Sequence, residues 1–399
     1  MSHRILYAAG PGHIIGTYRH WKDQQDDPGQ VALTYSGQFY DVCQALDAKG
    51  YAISSYPQPD QIRDGAFIIE HRPVPFADRA GALYHVGQIW YGLSLLLSAI
   101  WFRATVIVAD SGSTHWFLFS LFRLFGIQVI PSLLCVLWPK YGSMTRGEQL
   151  ALRWSRPFFS RHCAAILSMS QDIQEQVTKL TSAQHPPILK FLPVYRKNEF
   201  QAVPKPCWEP AQTPSACFRV FFAGRIERDK GVFDLLYMAQ RLVQEEGLAF
   251  QFDLCGTGTA LEELRQAVQQ VGLEEHFFCH GHCQKSAMRE MFGRSHVVIV
   301  PTRTTFVEGF NQVAAEGILS GRPVITSAVC PALAYVAEAV VEVPPDDVQA
   351  YGDALLRLYQ DPSFYELKRQ GCLEVQDQFY NLSNSWGAAL KDVLLYLDF

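Results

Sequence analysis

The segment that decides the fold is FRVFFAGRIERDKGVFDLL, residues 218–236. Its first six residues are almost all apolar, and a short apolar run that ends at a glycine is typical of a buried strand in a parallel sheet. Two glycines, Gly224 and Gly231, then bracket a turn with three cations, and an apolar run with helical spacing follows. A strand, a polar turn and a helix in this order predict a βαβ unit, and therefore a doubly wound α/β domain.

The same alternation of strand-like and helical patterns runs through the rest of the chain. Towards the C-terminus it predicts strands near 249–255, 277–280, 296–300 and 323–326, with helices near 260–271, 285–292 and 312–319. Towards the N-terminus it predicts strands near 4–9, 51–56, 67–70, 105–109, 127–131 and 164–168, with helices near 37–49, 81–101, 114–125, 146–160 and 171–181. The predicted fold class is therefore α/β, with two doubly wound, Rossmann-like domains that face a cleft.

A proline-rich segment separates the two domains. Residues 182–217 contain seven prolines and interrupt the alternation, which is typical of a linker. We therefore predict an N-terminal domain over 1–200 and a C-terminal domain over 216–378. The amphipathic segment 379–399 predicts a final helix, which we expect to pack back on the N-terminal domain. Ligands of parallel α/β sheets bind at the carboxyl ends of the strands, so polar residues that follow strands are the first site candidates.

The composition excludes two classes of protein. The 399 residues are 48% hydrophobic and 18% charged, with a formal net charge of −5. This hydrophobic content is enough for sizeable cores, which excludes a disordered chain, and the acidic balance argues against a nucleic-acid-binding protein. The charge is uneven, because residues 1–200 carry 18 Lys and Arg against 14 Asp and Glu, a net of +4, whereas the remainder carries −9. This difference indicates two domains with different partners.

The cysteines and the N-terminus bear on the cellular location. The ten cysteines are scattered along the chain without paired spacing, which predicts reduced thiols that pack as small hydrophobic side chains. Residues 1–7 lack the long apolar region of a secretory signal and begin a strand-like run instead. Both observations predict a cytoplasmic location.

One segment is apolar enough to raise the question of a membrane. Residues 80–102 contain no Asp, Glu, Lys or Arg, and as one helix they would be about 34 Å long, enough to cross a bilayer. Polar residues dilute the segment, and Arg103 and a strand-like run follow at once, so a buried or membrane-surface helix is favoured. Arginines and aromatic residues alternate over 146–161. This pattern fits peripheral contact with the inner face of an anionic membrane, and equally fits an ordinary solvated helix face.

Two carboxylates eight residues apart stand out in VEGFNQVAAEGI, residues 307–318. Glu308 lies in the loop before a predicted helix, and Glu316 lies two turns into that apolar helix. Because an unpaired buried charge is costly, Glu316 must find a partner, and sugar hydroxyls are natural donors to a carboxylate. Arg322 is the alternative partner within the chain. The first turn of the helix offers free N–H groups over 309–312 to a phosphate or sugar oxygen.

Three further turns lie at the carboxyl ends of predicted strands. The turn 224–231 carries Arg225 and Lys230, whose charges suit a diphosphate, although a solvated turn has a similar composition. The small residues CGTGT at 255–259 let backbone N–H groups approach an anion or a base, but they lack the third glycine of a dinucleotide fingerprint. Pro301 and Thr302 form a polar tip after strand 296–300.

In this order, the cationic turn and the two carboxylates resemble the retaining glycosyltransferases of family 4, which have the two-domain GT-B fold. The resemblance covers about 216–375 and includes the Gly-Arg-x4-Lys-Gly turn and the E-x7-E motif. It implies that a nucleoside-diphosphate sugar is the donor and is bound mainly by the C-terminal domain. It also implies that the N-terminal domain binds the acceptor.

The resemblance further implies a role for each matching residue. Arg225 and Lys230, next to Gly224, would bind the diphosphate. Glu316 would bind the ribose hydroxyls and Glu308 would face the donor sugar, so that Glu308, Arg225 and Lys230 would be the catalytic residues. The remaining donor contacts would come from the backbone near Gly256, Gly258, His280 and His282, which would border the base, and from the amides of Gly309, Phe310 and Asn311, which would hold the distal phosphate and the sugar.

The N-terminal domain resembles the family more loosely. Gly12, after the first strand, and Gly37, where a helix begins, would approach the donor phosphate. The family often has a histidine after the fifth strand, whereas the corresponding region 132–139 has none. His13 and His115 are the candidate substitutes, and for each a structural or surface histidine is the other interpretation. The family also often has a glycine where Asn311 stands.

A metal site must be weighed against these assignments. The segment CHGHC at 279–283 packs four metal-ligand side chains into five residues. Strand alternation would place them on opposite faces, so a strand end beside the base pocket is the preferred interpretation. The chain contains no Asp-x-Asp, the metal-chelating motif of the other large glycosyltransferase fold. We therefore expect no metal and no cofactor, with the nucleotide sugar acting as a substrate.

The sequence thus predicts a metal-independent, retaining glycosyltransferase that moves a hexosyl or related group from a nucleoside-diphosphate sugar to a hydroxyl acceptor. The apolar, net-positive N-terminal half indicates an acceptor that is lipid-linked or a glycolipid. Two alternatives stay open. One is a nucleotide-sugar-binding protein without transfer activity, suggested by the missing histidine, and the other is a nucleotide-sugar epimerase or hydrolase with the same fold.

Overall fold

The structure is a computed structural model that describes residues 3–79, 81–111, 115–208 and 217–398. Within it the chain forms two compact units. The N-terminal unit comprises residues 1–138, 143–194 and 381–399, and the C-terminal unit comprises residues 139–142 and 195–380. The division at 194/195 falls inside the proline-rich segment, a few residues before the boundary predicted at 200. Residues 209–216 of that segment lie outside the described residues.

Eight strands form the sheet of the N-terminal unit: β1 (Arg4–Ala9), β2 (Lys49–Ser54), β3 (Asp60–Asp64), β4 (Phe67–His71), β5 (Val106–Asp110), β6 (Gln128–Leu133), β7 (Ile166–Ser168) and β8 (Ile188–Lys190). Their order is β3-β4-β2-β1-β5-β6-β7-β8, and all neighbours are parallel except β3 and β4. The central strands β1, β5 and β6 are almost fully buried, as expected where helices cover both faces. The sequence analysis missed β3, because this edge strand is polar and largely exposed.

The helices that cover this sheet are α1 (Ile14–Lys22), α2 (Tyr35–Ala45), α3 (Ala82–Phe102), α4 (Arg146–Pro157) and α5 (Gln171–Thr181). The segment predicted as a helix at 114–125 is a 3-10 helix, Trp116–Phe125, preceded by residues 112–114, which lie outside the described residues. Its buried residues are Trp116, Phe119 and Phe122. This spacing of three matches the three-residue turn of a 3-10 helix better than the 3.6-residue turn of an α-helix.

Six strands form the sheet of the C-terminal unit: β9 (Phe218–Ala223), β10 (Phe250–Cys255), β11 (Phe277–Gly281), β12 (Val297–Val300), β13 (Val324–Ser327) and β14 (Val340–Val343). The helices of this unit are α6 (Asn198–Gln201), α7 (Val232–Ala239), α8 (Leu261–Val271), α9 (Lys285–Arg294), α10 (Gln312–Leu319), α11 (Leu333–Val336), α12 (Val348–Gln360) and α13 (Pro362–Val375). The strand order is β11-β10-β9-β12-β13-β14, and every pair is parallel.

Strand β9, the segment that opened the sequence analysis, is the point where the strand order changes direction. It lies between β10 and β12, so successive crossovers leave it towards opposite edges of the sheet. Its residues Phe218, Val220 and Phe222 are buried in a core that α7, α8 and α12 also supply. In open parallel sheets such a switch point opens a crevice at the carboxyl ends of the strands, which fixes where a ligand site can form.

The last helix, α14 (Trp386–Tyr396), belongs to the N-terminal unit. Trp386 donates from its indole Nε1 to Ser132 Oγ over 2.9 Å, and the Gly387 amide donates to Gln38 Oε1 over 2.7 Å. Trp386 is fully buried. The segment predicted over 379–399 therefore ends the chain against β6 and α2.

No helix among the described residues is both long enough and apolar enough to cross a membrane. The apolar segment at 80–102 forms α3.

Candidate functional site

Four loops meet at the carboxyl edge of the C-terminal sheet, and backbone hydrogen bonds join them. The loop after β9 binds the end of β10 and its loop, because Gly224 donates to the Cys255 carbonyl and Ile226 to the Thr257 carbonyl, each over 3.0 Å. Gly256 donates to the Gly281 carbonyl at the end of β11 (2.7 Å). The loop after β12 joins them, because the Arg303 amide donates to the Asp229 carbonyl over 2.9 Å.

Two glycines allow this close approach. A Cβ atom on Gly256 would lie 1.7 Å from the Gly224 carbonyl oxygen, and one on Gly258 would lie 2.2 Å from the Ile226 oxygen. Gly256 also has a φ of +148°, which side-chain-bearing residues rarely adopt. The sequence analysis assigned the small size of this loop to a ligand, whereas in the structure the neighbouring loop's backbone occupies the space.

A buried ion pair lies at the centre of this edge. Lys230 Nζ is 2.6 Å from Glu308 Oε2, and both side chains are nearly inaccessible to solvent. Thr302 Oγ1 and Asn311 Nδ2 donate to the same oxygen, over 3.0 and 3.1 Å. Three donors thus fix Glu308: Lys230 comes from the loop after β9, and Thr302 and Asn311 come from the loop 301–311 that also carries Glu308. The sequence analysis had placed Glu308 only by motif. Thr302 supplies the polar tip that was predicted after β12.

Phe306 brings two of the turn's three cations together. Lys230 Nζ lies 3.7 Å from the centroid of the Phe306 ring, and the Arg225 guanidinium carbon lies 5.2 Å from it. Arg225 is exposed and forms no ion pair with any described residue. Arg228 in the same turn differs, because it pairs with Glu263. The sequence analysis missed Phe306, since one aromatic residue in a loop carries no motif.

Asn311 joins the ion pair to α10. Its backbone is left-handed, with a φ of 64°, and its side-chain oxygen accepts from the Ala314 amide over 3.3 Å as the helix cap. Glycine and asparagine are the residues that adopt this conformation most readily, so the departure from the family's usual glycine is conformationally mild. The amides of Gly309 and Phe310, just before it, donate no hydrogen bond to any described residue.

Glu316 is a buried carboxylate, 7% exposed, on the second turn of α10. No hydrogen bond or ion pair joins its side chain to another described residue. Burial raises the pKa of its carboxyl group to about 8. The alternative partner Arg322 is excluded, because its guanidinium donates to the carbonyls of Ser295 and Gly293, over 3.1 and 2.9 Å. The site therefore contains a carboxylate whose hydrogen-bonding capacity the described protein does not use.

The end of β11 supplies the next part of the edge. His280 Nε2 lies 2.7 Å from Asp253 Oδ1, which also accepts from Arg294 over 2.8 Å, so the His280 ring is engaged within the unit. His282 lies in the following loop, where it is exposed to solvent. In the segments that the structure describes, no group of three or more His, Cys, Asp or Glu side chains could hold a metal ion.

A disulfide corrects one prediction about this edge. Cys255, the last residue of β10, is bonded to Cys283, two residues after β11. The scattered spacing had predicted ten reduced thiols, but parallel neighbours β10 and β11 bring these two strand ends together. Part of the argument for a cytoplasmic location therefore falls away. None of the other eight cysteines, all within the described segments, forms a disulfide. Burial strongly raises the pKa of five of their thiols: Cys43, Cys163, Cys279, Cys330 and Cys372.

The candidates Gly12, His13, Gly37 and His115 in the N-terminal unit share no partner with one another among the described residues. Gly12 is exposed, and His13 packs its ring near those of Tyr56 and His71, at centroid distances of 4.9 and 5.0 Å. The Gly37 amide donates to Thr34 Oγ1 as part of a helix cap, over 3.1 Å.

His115 is buried, and its Nε2 lies 3.0 Å from His85 Nδ1. Burial and the neighbouring His85 lower the pKa of His115. The structure thus makes His115 part of a histidine pair, and the role first suggested for it stays a prediction.

Comparison with known proteins adds a family match over part of the chain, and a fold. Residues 212–371 match the family model described as "Glycosyl transferases group 1". Among curated proteins, the chain is similar to a D-inositol 3-phosphate glycosyltransferase of Xylanimonas cellulosilytica, with 30% identity over 144 residues. That match covers 36% of this chain, and the chain spans only 34% of the relative's length.

Solved structures match along the whole chain. The sucrose-phosphate synthase of Thermosynechococcus elongatus gives a TM-score of 0.69 at 17% identity, over 99% of this chain and 98% of that one. The Anabaena protein HepE in complex with UDP-glucose gives 0.65 at 15% identity, over 99% of both chains. The chain has the GT-B fold. Two Rossmann-like domains with parallel sheets, as predicted, are thereby confirmed.

Proposed function

We propose that this protein is a glycosyltransferase that uses a nucleoside-diphosphate sugar as donor. The observation that carries the proposal is the convergence of Arg225 and Lys230 on the ring of Phe306 at the switch point of the sheet. The matched family model and the UDP-glucose bound by HepE, a protein of the same fold, support it. Lys230 is buried and paired with Glu308, so it would give a diphosphate a contact of fixed position. Arg225 is exposed and forms no ion pair with a described residue, so it would add charge to neutralise the diphosphate.

The other donor contacts follow from groups that the protein leaves without partners. The unused amides of Gly309 and Phe310 suit the distal phosphate, because backbone N–H groups before a helix attract anions. Glu316 suits the ribose, whose hydroxyls would donate to its carboxylate and compensate its burial. We assign Glu308 to the donor sugar, with its carboxylate oriented by Lys230, Thr302 and Asn311.

We further propose a metal-independent reaction of the retaining, family-4 type. The bond between the anomeric carbon and the diphosphate oxygen breaks, and a bond from that carbon to the acceptor hydroxyl oxygen forms on the same face. The hydroxyl proton passes to the departing diphosphate oxygen. Arg225 and Lys230 stabilise the charge that develops on the diphosphate, and such preorganised electrostatics is usually the largest contribution to catalysis. We assign acceptor binding to the N-terminal unit, with a lipid-linked or glycolipid hydroxyl as the acceptor class.

Nucleotide binding provides the first test. Thermal stabilisation of the full chain by UDP, GDP, ADP and their sugars should identify one nucleotide, because a ligand at 100 times its Kd stabilises a protein by about 2.7 kcal/mol. Arg225→Gln should weaken binding of that nucleotide at least about tenfold, the loss of one charge-assisted hydrogen bond. Arg228→Gln is the matched control from the same turn, since Arg228 already pairs with Glu263.

Transfer provides the second test. The stabilising nucleotide sugar is incubated with hydroxyl acceptors, and the configuration of the product is determined by NMR.

Equal nucleotide binding by the Arg225→Gln and Arg228→Gln variants would contradict the donor site. Binding without turnover on any acceptor would favour the nucleotide-sugar-binding protein, which the missing histidine in 132–139 suggests.

A further inference from the structure

Helix α3 of the N-terminal unit is apolar on both of its faces. Its inward face, which includes Tyr91, Leu95 and Ala99, is buried against the sheet. Its outward face carries eight exposed apolar side chains at helical spacing: Leu83, Val86, Ile89, Trp90, Leu93, Leu97, Ile100 and Trp101. Trp90 and Leu97 are 66% and 67% exposed. A helix that is apolar all round is normally enclosed by protein or lipid, and no described residue encloses this face.

Two neighbouring elements extend this surface. The 3-10 helix Trp116–Phe125 packs closely on α3, because Gly92 leaves room for Leu118, which would lie 3.0 Å from a Cβ atom there. It contributes exposed Leu124 and Phe125. Helix α4 follows, with exposed Trp154 in edge contact with Phe117 at a centroid distance of 5.7 Å. We name the eight α3 side chains together with Leu124, Phe125 and Trp154 the α3 face.

The segments that carry the α3 face hold charges mostly of one sign, and in the neighbouring strand Glu70 is paired with Arg72, which also binds Ser94 of α3. Over 81–138 and 143–170 the N-terminal unit has six arginines, at 103, 123, 146, 153, 156 and 161, and only two acids. Asp110 is buried, and Glu148 is occupied by the capping box of α4 with Thr145. All six arginines are exposed, and none forms an ion pair within the part of the chain that the structure describes. The surface therefore combines a broad apolar face with uncompensated positive charge.

We infer that the α3 face docks on a bilayer that contains anionic lipid. Such a surface buries the apolar side chains at the level of the headgroups and neutralises the arginines with lipid phosphates and carboxylates. A second copy of the chain fits less well, because a symmetric dimer through this face would bring two sets of arginines together. The inference does not depend on the proposed function, since docking is measured without donor or acceptor.

Flotation of the full chain with vesicles tests the inference. We expect co-flotation with vesicles of phosphatidylcholine and about 30% phosphatidylglycerol in about 50 mM salt. Binding should fall at least about tenfold on phosphatidylcholine alone, because the arginines lose the net negative headgroups that attract them. It should fall again in about 500 mM salt, because salt screens that attraction. Equal binding to both vesicle types, or no binding to either, overturns the inference.

Two double variants separate the apolar and the electrostatic contributions. Leu97→Gln/Trp101→Gln and Arg153→Glu/Arg156→Glu should each reduce flotation at least about tenfold. The matched control is Leu395→Gln/Tyr396→Gln, because both side chains are exposed on α14 of the same unit. Circular dichroism confirms that each variant is folded. Sedimentation tests the other occupant: a wild-type dimer that Leu97→Gln/Trp101→Gln dissociates would overturn docking on lipid.

Discussion

The carboxyl edges of the two parallel sheets are built in different ways. In the C-terminal unit, backbone hydrogen bonds and the absence of Cβ atoms at Gly256 and Gly258 lock four loops together. In the N-terminal unit, Gly10 and Gly12 follow β1, and a Cβ atom on either would have no atom within 4 Å of it. The rings of His13, Tyr56 and His71 form the nearby contacts. The first edge is a rigid frame for charged groups, whereas the second is more open and should tolerate change.

The largest expected difference concerns ion pairs. Lys230→Met leaves Glu308 buried without its cation, and breaking a buried pair in this way costs about 3–5 kcal/mol. In the N-terminal unit, Lys22 pairs with Asp64, and these side chains are 56% and 37% exposed. Because this pair is exposed to solvent, Lys22→Met should reduce stability far less than Lys230→Met. Urea denaturation of both variants measures the two free energies of unfolding.

A double variant sharpens this prediction. Lys230→Met/Glu308→Leu removes both charges and should recover most of the lost stability, because well-packed apolar residues often replace a buried pair without cost. It should still fail to bind nucleotide. A cost below about 1 kcal/mol for Lys230→Met would mean that the pair behaves like a surface pair, and the carboxyl edge of the C-terminal sheet would not be the rigid frame described above.

The glycines give the next largest difference. Gly256→Ala places a Cβ atom 1.7 Å from the Gly224 oxygen, so the two loops must separate. Overpacking and the positive φ together should cost about 2–4 kcal/mol. The Cβ atom added by Gly12→Ala would lie in open space. The variant should therefore have unchanged stability, or gain about 0.5 kcal/mol because alanine lowers the conformational entropy of the unfolded chain. Thermal unfolding measures both, and equal shifts would show that the two edges are equally crowded.

Each unit also contains a buried carboxylate, and pH separates the two. Burial raises the pKa of Glu316 to about 8, and burial raises that of Asp110 to about 6 against the hydrogen bond from Tyr7. A pKa higher in the folded than in the unfolded chain means that stability falls as pH rises between the two values. The wild type should therefore lose about 2 kcal/mol of stability between about pH 6 and 8. Glu316→Gln should not show this loss. Asp110→Asn should act only at lower pH, between the usual range of an aspartate and about 6.

Denaturation at about pH 5, 6.5 and 8 distinguishes these windows. Parallel stability profiles for Glu316→Gln and the wild type would show that Glu316 has an ordinary pKa in the folded protein. The same pH series bears on the donor site. Ribose hydroxyls would bind the ionised carboxylate, so nucleotide affinity of the wild type should rise between about pH 6.5 and 8 and that of Glu316→Gln should not.

The sequence predicted best where the signal is local. The apolar run of β9 and the spacing of α10 predict their elements, because burial of strands and helices leaves a periodic pattern. The motif placed Lys230 and Glu308 in one site, but their direct pairing joins residues 78 positions apart and leaves no local pattern. Phe306 and the Cys255–Cys283 bond were missed for the same reason, since both depend on which strands become neighbours. The contacts at the carboxyl edge of the N-terminal sheet were the least predictable, because contacts between aromatic rings far apart in the sequence leave no regular spacing.

The smallest expected difference separates backbone conformation from hydrogen bonding at two helix caps. Asn311 caps α10 with a φ of 64°, whereas Thr34 caps α2 with a φ of −68°. Replacing either cap by alanine should cost about 1 kcal/mol through the lost cap, and replacement by glycine only a few tenths. At Asn311 alone, alanine must also adopt the left-handed region, which costs about 1 kcal/mol more.

The difference in free energy of unfolding between the glycine and the alanine variant should therefore be about 1 kcal/mol larger at position 311 than at position 34. Urea denaturation measures this difference. Both Asn311 variants lose the hydrogen bond to Glu308, so this loss does not contribute to the stability difference between them. It should instead lower the nucleotide affinity of both. Equal differences at the two caps would mean that the loop before α10 relaxes to a negative φ. The frame that holds Glu308 would then be adjustable, and the contrast between the two edges would be one of charge alone.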